Sequence, residues 1–246
     1  MNIDKILIFD IFGQFAHFRK FYTNASSLSY GIPPRTVIVG IINAIIGNQK
    51  DSYYEEFDSD KARIGIALKN RYRKIMQTVN YIKTDKEGWN FAGNPQQVQV
   101  EILVPYDDEL KYRIYFYHTD SEIIKILKAK LENKRCVYNP YLGISEFLAD
   151  IEYIQEANNI KTVKNKKLIP IITCFKKNYL TRFELKDKKY IIERMPVNFG
   201  KNRLLKEFDD YIYEESCSPV CGDFVENVQI YEIIYNNCSE NIIFME

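Results

Sequence analysis

The sequence predicts an α+β fold in which two helices alternate with strands in the split βαβ, or ferredoxin-like, order. Three observations predict it. Residues 3–11 form a β-branched and aromatic run, residues 35–46 are apolar almost without interruption, and apolar residues alternate with polar ones in the segments that follow. The resulting order of strand, helix, strand, strand, helix, strand is the one that defines this fold.

The first two elements have clear boundaries. The apolar run at 3–11 stops before Gly13 and predicts a strand buried on both of its faces. The dipeptide Pro33-Pro34 sets the start of a helix over 35–46, and Gly47 is suited to its C-terminal stop. This helix has almost no polar face, which indicates deep burial.

Later elements follow the same reasoning. Alternating apolar residues predict strands at 62–69, 98–104 and 112–118. The segment Thr119-Asp-Ser-Glu122 has the capping-box form, so a second helix is expected to begin there. The last strand of the unit is expected near 147–154.

A polar insertion and a β-rich region complete the chain. Residues from about 70 to 97 are too polar for a core and are expected to form a hairpin inserted between two strands. The remainder indicates short strands at 168–175, 179–185, 189–195 and 225–235. We therefore expect one domain over 1–158, carrying the insertion, and a β-rich C-terminal appendage over 159–246.

The charge balance bears on possible partners. The chain has 246 residues and a formal net charge of +1, whereas a free-standing RNA-binding domain is usually clearly basic. Three interpretations stay open: the positive charge is local, other subunits of an assembly supply it, or the protein binds no nucleic acid.

The cysteines and the apolar runs indicate the compartment. Five Cys residues, an odd number, favour free thiols in a reducing cytoplasm. The N-terminal apolar run is too short for a secretory signal, and no stretch approaches the roughly 20 apolar residues of a membrane span. The expected location is the cytoplasm, without membrane contact.

The segment Phe12–Tyr22 and the helix start after it suggest an RNA site. Aromatic rings stack on unpaired bases, cations hold phosphates, and helix N-termini attract anions. The candidates here are His17, Arg19, Lys20, Tyr22 and Arg35. The spacing of Phe at 12, 15, 18 and 21 also fits one inward face of a short helical segment, and both interpretations stay open.

The polar insertion supplies a second set of RNA-binding candidates. A long excursion with alternating cations and one Trp could be an arm lying along RNA, or a solvated hairpin whose charges block edge pairing. The candidates are Lys69, Arg71, Arg73, Lys74, Gln77, Asn80 and Trp89, accompanied by Lys83 and Lys86.

Catalytic and metal sites are weakly indicated. His17 or His118 could be the general base of a metal-independent ribonuclease, although a structural role is favoured for each. The group Cys217, Cys221 and Cys238 has loose spacing and no evident fourth ligand, so no metal is expected. No phosphate-cradling, nucleophile-elbow or dinucleotide motif is present, and no cofactor is expected.

The N-terminal run Phe9-Asp-Ile-Phe-Gly-Gln-Phe-Ala-His-Phe-Arg-Lys-Phe-Tyr22, followed by Pro33-Pro-Arg-Thr36 and Gly40, resembles the fifth family of CRISPR-associated (Cas) proteins in its subtype I-B form. The resemblance continues at Gln77-Thr-Val-Asn80 and at Asn139-Pro-Tyr-Leu-Gly-Ile-Ser-Glu-Phe-Leu-Ala149. It covers about the first 150 residues, in the order of the family, and is weak beyond about 160.

The resemblance implies a RAMP-superfamily protein with an RRM-related palm and a β-hairpin thumb at 70–97. Such a protein caps the 5′ handle of the CRISPR guide RNA in the type I Cascade complex. Its partners would be the backbone subunit and the large subunit, with target DNA reached only through the complex. In subtype I-C the family member cleaves repeat RNA itself, while this sequence is more similar to the non-catalytic kind.

Overall fold

The computed structural model describes residues 3–23, 26–82, 95–184 and 188–246. The elements up to residue 157 are β1 (Ile6–Gly13), β2 (Phe18–Arg19), β3 (Ser29–Tyr30), α1 (Arg35–Ile46), β4 (Ala62–Leu68), β5 (Tyr72–Tyr81), β6 (Gln96–Pro105), β7 (Leu110–His118), α2 (Ser121–Glu132) and β8 (Asp150–Ala157). The later strands are β9 (Asn159–Thr162), β10 (Ile169–Ile171), β11 (Phe175–Lys176), β12 (Leu180–Phe183), β13 (Tyr190–Phe199), β14 (Leu205–Glu214), β15 (Val220–Phe224), β16 (Tyr231–Tyr235) and β17 (Cys238–Ile242), with short 3-10 turns at Lys177–Tyr179 and Lys201–Arg203.

Four strands form the central sheet in the order β4-β7-β1-β8, and each neighbouring pair is antiparallel. With α1 between β1 and β4, and α2 between β7 and β8, the chain follows the predicted order of strand, helix, strand, strand, helix, strand. The last of these strands begins at Asp150, somewhat later than expected.

The strand predicted at 98–104 does not belong to this sheet. It is part of β6, which pairs with β5 over ten residue pairs, from Tyr72 opposite Pro105 to Tyr81 opposite Gln96. We call the β5–β6 hairpin the arm. Its described strands run over 72–81 and 96–105, so the second strand ends beyond the predicted insertion of 70–97. Alternation identified the strand correctly, but it carries no information about which strand is the partner.

Strand β1 is buried on both faces, as its apolar run predicts. Leu7, Phe9 and Ile11 join the main core, which also contains the inner faces of α1 and α2. Ile6 and Ile8 on the other face join a second core with strands β16 and β17. The central sheet therefore lies between the two helices and a C-terminal sheet of order β17-β16-β9.

The two helices have well-defined ends. Helix α1 matches the predicted range and stops at Gly47, whose φ of +103° suits glycine and whose N–H bonds the Asn43 carbonyl. The N-cap of helix α2 is Asp120, one residue after the Thr119 with which the predicted capping box begins. The Asp120 side chain accepts the Glu122 N–H at 2.8 Å.

The C-terminal region is β-rich, as predicted, and two of its strands share the core of the N-terminal region. Met195 and Val197 of β13 and Tyr211 of β14 lie in the same core as Ile38 of α1. Sequence reasoning missed strand β14, since its first half, Lys206-Glu-Phe-Asp-Asp210, is dominated by charge. Among the described residues, no helix is long and apolar enough to cross a membrane.

Candidate nucleic-acid interface

The aromatic and basic segment after β1 contains no helix. Its chain forms the short paired strands β2 and β3. Phe18 is buried, while Phe15, Phe21 and Tyr22 are each nearly half exposed. The alternative of a helical segment with one inward aromatic face is therefore wrong, because the extended chain sends successive rings in different directions.

His17 lies inside this segment and is a structural side chain. Its Nδ1 donates to the Glu101 carbonyl oxygen at 2.7 Å, and its Nε2 accepts from the Ser27 hydroxyl at 2.8 Å. This assignment follows because a carbonyl oxygen can only accept. Burial lowers the pKa of His17, so the ring is neutral near pH 7. With both nitrogens occupied, the prediction that His17 binds RNA is wrong.

Two predicted RNA-binding lysines form ion pairs within the protein. Lys20 Nζ lies 2.9 Å from the buried Glu193 carboxylate, while Lys74 Nζ lies 3.2 Å from Glu101 and donates to the Ser29 carbonyl at 2.7 Å. Burial opposes the charge of Lys20, but the hydrogen bond to Glu193 raises the pKa of Lys20 on balance. Lys20 is thus a structural cation, and the Lys74 side chain, 29 % exposed, has only partial access to a ligand.

Arg35 does not face RNA either, since it is only 1 % exposed. Its Nε donates to Glu246 Oε1 at 2.6 Å, one terminal nitrogen donates to Asn198 Oδ1 at 2.9 Å, and the other donates to the carbonyls of Phe57 and Ala62 at 2.9 and 2.8 Å. The guanidinium joins the start of α1 to the start of β4 and to the C-terminal region. Its predicted role as an RNA contact is therefore wrong.

Glu246 completes this buried pair. Its Oε1 also accepts the Ile64 N–H at 2.9 Å, and its buried Oε2 has no hydrogen-bond partner among the described residues. Burial raises the pKa of the Glu246 carboxyl, while Arg35 pulls that pKa down. The ion pair offsets a desolvation cost that either partner alone would carry uncompensated.

The predicted contacts that remain accessible lie mostly on the arm. Arg71, Arg73, Gln77 and Asn80 are exposed. Because alternate residues of a strand share a face, Arg73 and Gln77 lie on one side of β5 and Asn80 on the other, while Arg71 immediately precedes the strand. The Arg71 guanidinium lies 5.3 Å from the centre of the Tyr106 ring.

Three other candidates have different positions. Lys69 is half-buried at the end of β4, with Nζ 3.8 Å from Glu240. Arg19 is exposed on β2, and its guanidinium donates to the Thr23 carbonyl at 3.5 Å. Trp89, with Lys83 and Lys86, lies outside the described residues.

The second histidine, His118, is also held within the fold. Its Nε2 donates to the Glu56 carbonyl at 3.0 Å, and its Nδ1 accepts the Asp120 N–H at 2.9 Å. Burial lowers the pKa of His118 and keeps the ring neutral. Neither His17 nor His118 therefore has a free nitrogen that could take a proton from RNA in this structure.

The cysteines of the C-terminal region are separate thiols. Cys217 and Cys221 are half-buried, Cys238 is exposed and Cys174 is buried. Within the described ranges, no three His, Cys, Asp or Glu side chains are placed to hold a metal ion together.

An exposed aromatic cluster lies beside the segment after β1. The Phe21 ring centre is 5.3 Å from that of Tyr22 and 6.0 Å from that of Phe208 on β14. The Arg194 guanidinium of β13 lies 4.9 Å from the centre of the Phe208 ring, and its Nε is 3.0 Å from the Asp210 carboxylate. We call Phe21, Tyr22, Arg194 and Phe208 the aromatic platform.

Sequence reasoning included Tyr22 but missed the two members from the C-terminal region. Phe208 is a single apolar residue among charges, which hides the strand it belongs to. Alternation in strand β13 (Tyr190–Phe199) is the signal that could have identified Arg194. This residue occupies an outward position between the buried Glu193 and Met195.

Comparison with known proteins gives the family. The model of the family described as CRISPR-associated protein (Cas_Cas5) matches residues 6–170, which is most of the chain and includes the central sheet, both helices and the arm. The chain belongs to this family. Its membership confirms the resemblance to the fifth Cas family that the N-terminal motifs indicate. No curated protein matches the chain.

Solved structures support the fold of this Cas5 family member. A CRISPR protein from Archaeoglobus fulgidus superimposes with a TM-score of 0.60 at 15 % identity, covering 98 % of this chain and 99 % of that one. A chain from a type III-B Cmr-beta complex bound to cognate target RNA and AMPPnP gives a TM-score of 0.52 at 12 % identity, covering 88 % and 86 %. The likeness over nearly the full length includes the β-rich C-terminal region, beyond the family match.

Proposed function

We propose that this chain is a non-catalytic CRISPR RNA-binding subunit of a type I Cascade antiviral surveillance complex in the cytoplasm, where it caps the 5′ handle of the guide RNA. In this proposal the central sheet with its two helices is a ferredoxin-like palm, and the arm is the thumb. Family membership supports the CRISPR setting, and the resemblance to subtype I-B members supports the binding role.

The observation that carries the proposal is the exposure of the arm. Its ten-residue strands span about 33 Å. Among the described residues, the outer edge of β6 pairs with Ala16 and Ser27 as far as Gln99 and no further. Beyond Lys74, every residue of β5 except Val79 is exposed. A two-stranded hairpin without further packing is marginally stable in water, so the far half of the arm would gain stability from a ligand packed against it. The exposed Arg73 of β5, with Arg71 immediately before the strand and the amides of Gln77 and Asn80, suits an RNA strand.

Internal ion pairs use several of the cations that the sequence offered as RNA contacts. Lys20, Lys74 and Arg35 serve as structural cations, so few of the predicted basic contacts are free for phosphates. A subunit of this kind holds RNA with a small number of contacts and relies on its neighbours for the remainder. The proposed neighbours are the Cascade backbone subunit and the large subunit, with target DNA reached only through the complex.

The runner-up function is a metal-independent endoribonuclease that processes repeat RNA. A general base must come within hydrogen-bond reach of the proton it removes. Both histidines are buried, neutral and bonded at both nitrogens, which favours the binding role over this alternative.

The first test is the salt dependence of RNA binding. Replacing Arg71 and Arg73 together by Ala should weaken binding of a repeat-derived single-stranded RNA. Each lost phosphate contact reduces the slope of log K against log salt by about 0.7, so the pair should reduce it by about 1.4. The measurement is fluorescence anisotropy over a salt series.

The matched control is Arg135→Ala, which removes an exposed arginine after α2, away from the arm. It should leave the slope unchanged. An unchanged slope in the arm variant as well would show that Arg71 and Arg73 do not touch phosphate.

The second test concerns catalysis. The purified chain, incubated with repeat RNA in EDTA, should give no discrete cleavage product, since neither histidine is free to act as a base. Denaturing gel electrophoresis over several hours is the measurement. A discrete product that disappears in a folded His17→Gln or His118→Gln variant would establish the ribonuclease instead.

A further inference from the structure

We infer that the aromatic platform is a stacking surface for unpaired bases of the bound RNA, and that the C-terminal region thereby contributes directly to RNA binding through Phe208 and Arg194. This inference rests on the proposed function and assigns it an additional site. The platform joins two parts of the chain, since Phe21 and Tyr22 follow β2 while Arg194 and Phe208 belong to β13 and β14.

Two internal contacts connect the chain segments that carry the platform residues. Lys20, immediately before Phe21, pairs with Glu193, immediately before Arg194. The Tyr30 hydroxyl donates to the Arg194 carbonyl at 2.6 Å and fastens β3 to β13. Because these anchors are internal, they tie down the chain next to Phe21 and next to Arg194. A backbone that is already ordered loses less conformational entropy when a ligand binds beside it.

The rings themselves are open to a ligand. Phe21 is 44 % exposed, Tyr22 is 50 % and Phe208 is 48 %. Apolar rings exposed together are costly in water, and grouped exposure of this sort marks a binding surface. Phe21 and Phe208 already contact each other, so a base would stack on the outer faces of the rings rather than between them.

The charges around the rings favour RNA. The Arg194 guanidinium lies over one face of the half-exposed Phe208 ring and offers a stacking plane of its own. It also offsets the Asp210 carboxylate, and exposed Arg19 donates to the Thr23 carbonyl next to Tyr22. Arginine planes and aromatic rings are the groups on which unpaired bases stack. The platform is also continuous with the base of the arm, because Lys74 of β5 lies 3.9 Å from Glu193 beneath it.

The test uses the full chain and a set of eight-nucleotide single-stranded RNAs, each carrying 2-aminopurine at one position. Stacking on a ring quenches 2-aminopurine fluorescence, so at least one position should show quenching on binding. In Phe208→Ala that quenching should be lost and the affinity should fall by about 5- to 150-fold. Phe208→Leu, which keeps apolar bulk without a ring, should behave in the same way, and Phe208→Trp should restore both signals.

Ile192→Ala is the matched control, because Ile192 is 48 % exposed on the same hairpin and has no ring. It should leave quenching and affinity unchanged. If the wild-type chain binds the RNAs but Phe208→Ala and Phe208→Leu retain quenching and affinity, the stacking site is refuted while the proposed function stands. The stacking site is also refuted, and the proposed function also stands, if those variants lose only their association with other Cascade subunits. The platform is then a protein interface. If the wild-type chain binds none of the RNAs, the proposed function itself fails.

Discussion

Replacing Arg35 by Ala should lower the free energy of unfolding by about 3–5 kcal/mol, because the change leaves the Glu246 carboxylate buried without its counter-ion. The variant also removes donors from the Asn198 side chain and from two carbonyls at the ends of the 57–62 segment. Urea unfolding followed by circular dichroism gives the measurement. Arg35→Lys should have an intermediate effect, since it keeps the charge but lacks the planar fork.

The defect should depend on pH in a direction fixed by Glu246. Burial raises the pKa of this carboxyl, and removing Arg35 removes a group that opposes the rise. A folded-state pKa above the unfolded value gives stability that is present at low pH and lost as the pH rises through the folded pKa. The decrease in the free energy of unfolding caused by Arg35→Ala should therefore be larger at pH 8 than at pH 5.

An exposed arginine provides the comparison for this variant. Arg135→Ala should change the free energy of unfolding by no more than about 0.5 kcal/mol at either pH. If Arg35→Ala is equally mild, the buried ion pair with Glu246 does not stabilise the fold.

The elements that sequence reasoning predicted well are those whose side chains share one environment along their length. Strand β1 reads as buried on both faces because helices cover one side and β16 and β17 cover the other. Helix α1 has almost no polar face because it packs between the central sheet and β13. In both cases local composition reports the surroundings directly.

The partner of a charged residue is not visible locally. Pro34-Arg35 at a helix start has the form of an anion site, yet the anion is Glu246, 211 positions further along the chain. Lys20 is in the same situation, because its carboxylate partner Glu193 lies in a distant strand. Lys74 pairs with Glu101 of the neighbouring strand β6, a pairing that only the hairpin register reveals. A cation beside aromatic residues therefore predicts an acidic group without saying whether it comes from RNA or from the protein.

The pairing partner of a strand was the other feature that sequence reasoning could not predict. The alternation at 98–104 is equally suited to a sheet strand and to one side of a hairpin, and only the register with β5 decides between them. The exposed aromatic platform was missed for a related reason. Phe208 becomes meaningful only when β14 brings it against Phe21, across the boundary expected between two domains.

Shortening the arm should abolish retention of the 5′ end of the guide RNA while leaving the fold intact. The structure defines where to cut. Thr78 and Gln99 are opposite each other, and Gln99 accepts the Ser27 N–H at 2.9 Å, so the base of the arm should be kept up to this pair. Buried Tyr72, Leu103 and Val104 belong to that base, and a deletion from 72 to 95 would remove the partner strand of β6.

The variant therefore replaces residues 79–98 by Asn-Gly, which forms a two-residue hairpin turn. The described part of this stretch is mostly exposed, so the thermal unfolding midpoint should change by only a few degrees. RNA affinity should fall by at least about fivefold, because a base stacked on Trp89 alone would account for about 1–3 kcal/mol. Protection of the 5′ handle from nuclease, in the chain and in the assembled complex, is the functional measurement.

Two point variants measure the contribution of the Trp89 ring to RNA affinity separately from that of the whole arm. Trp89→Ala should lose affinity and Trp89→Phe should retain most of it, because both aromatic rings offer a stacking face. A shortened arm that unfolds the chain would show that residues 79–98 belong to the core. If the chain with the shortened arm folds and still protects the handle, the aromatic platform is the part that holds the RNA. Phe208→Ala in the shortened chain should then remove the remaining protection.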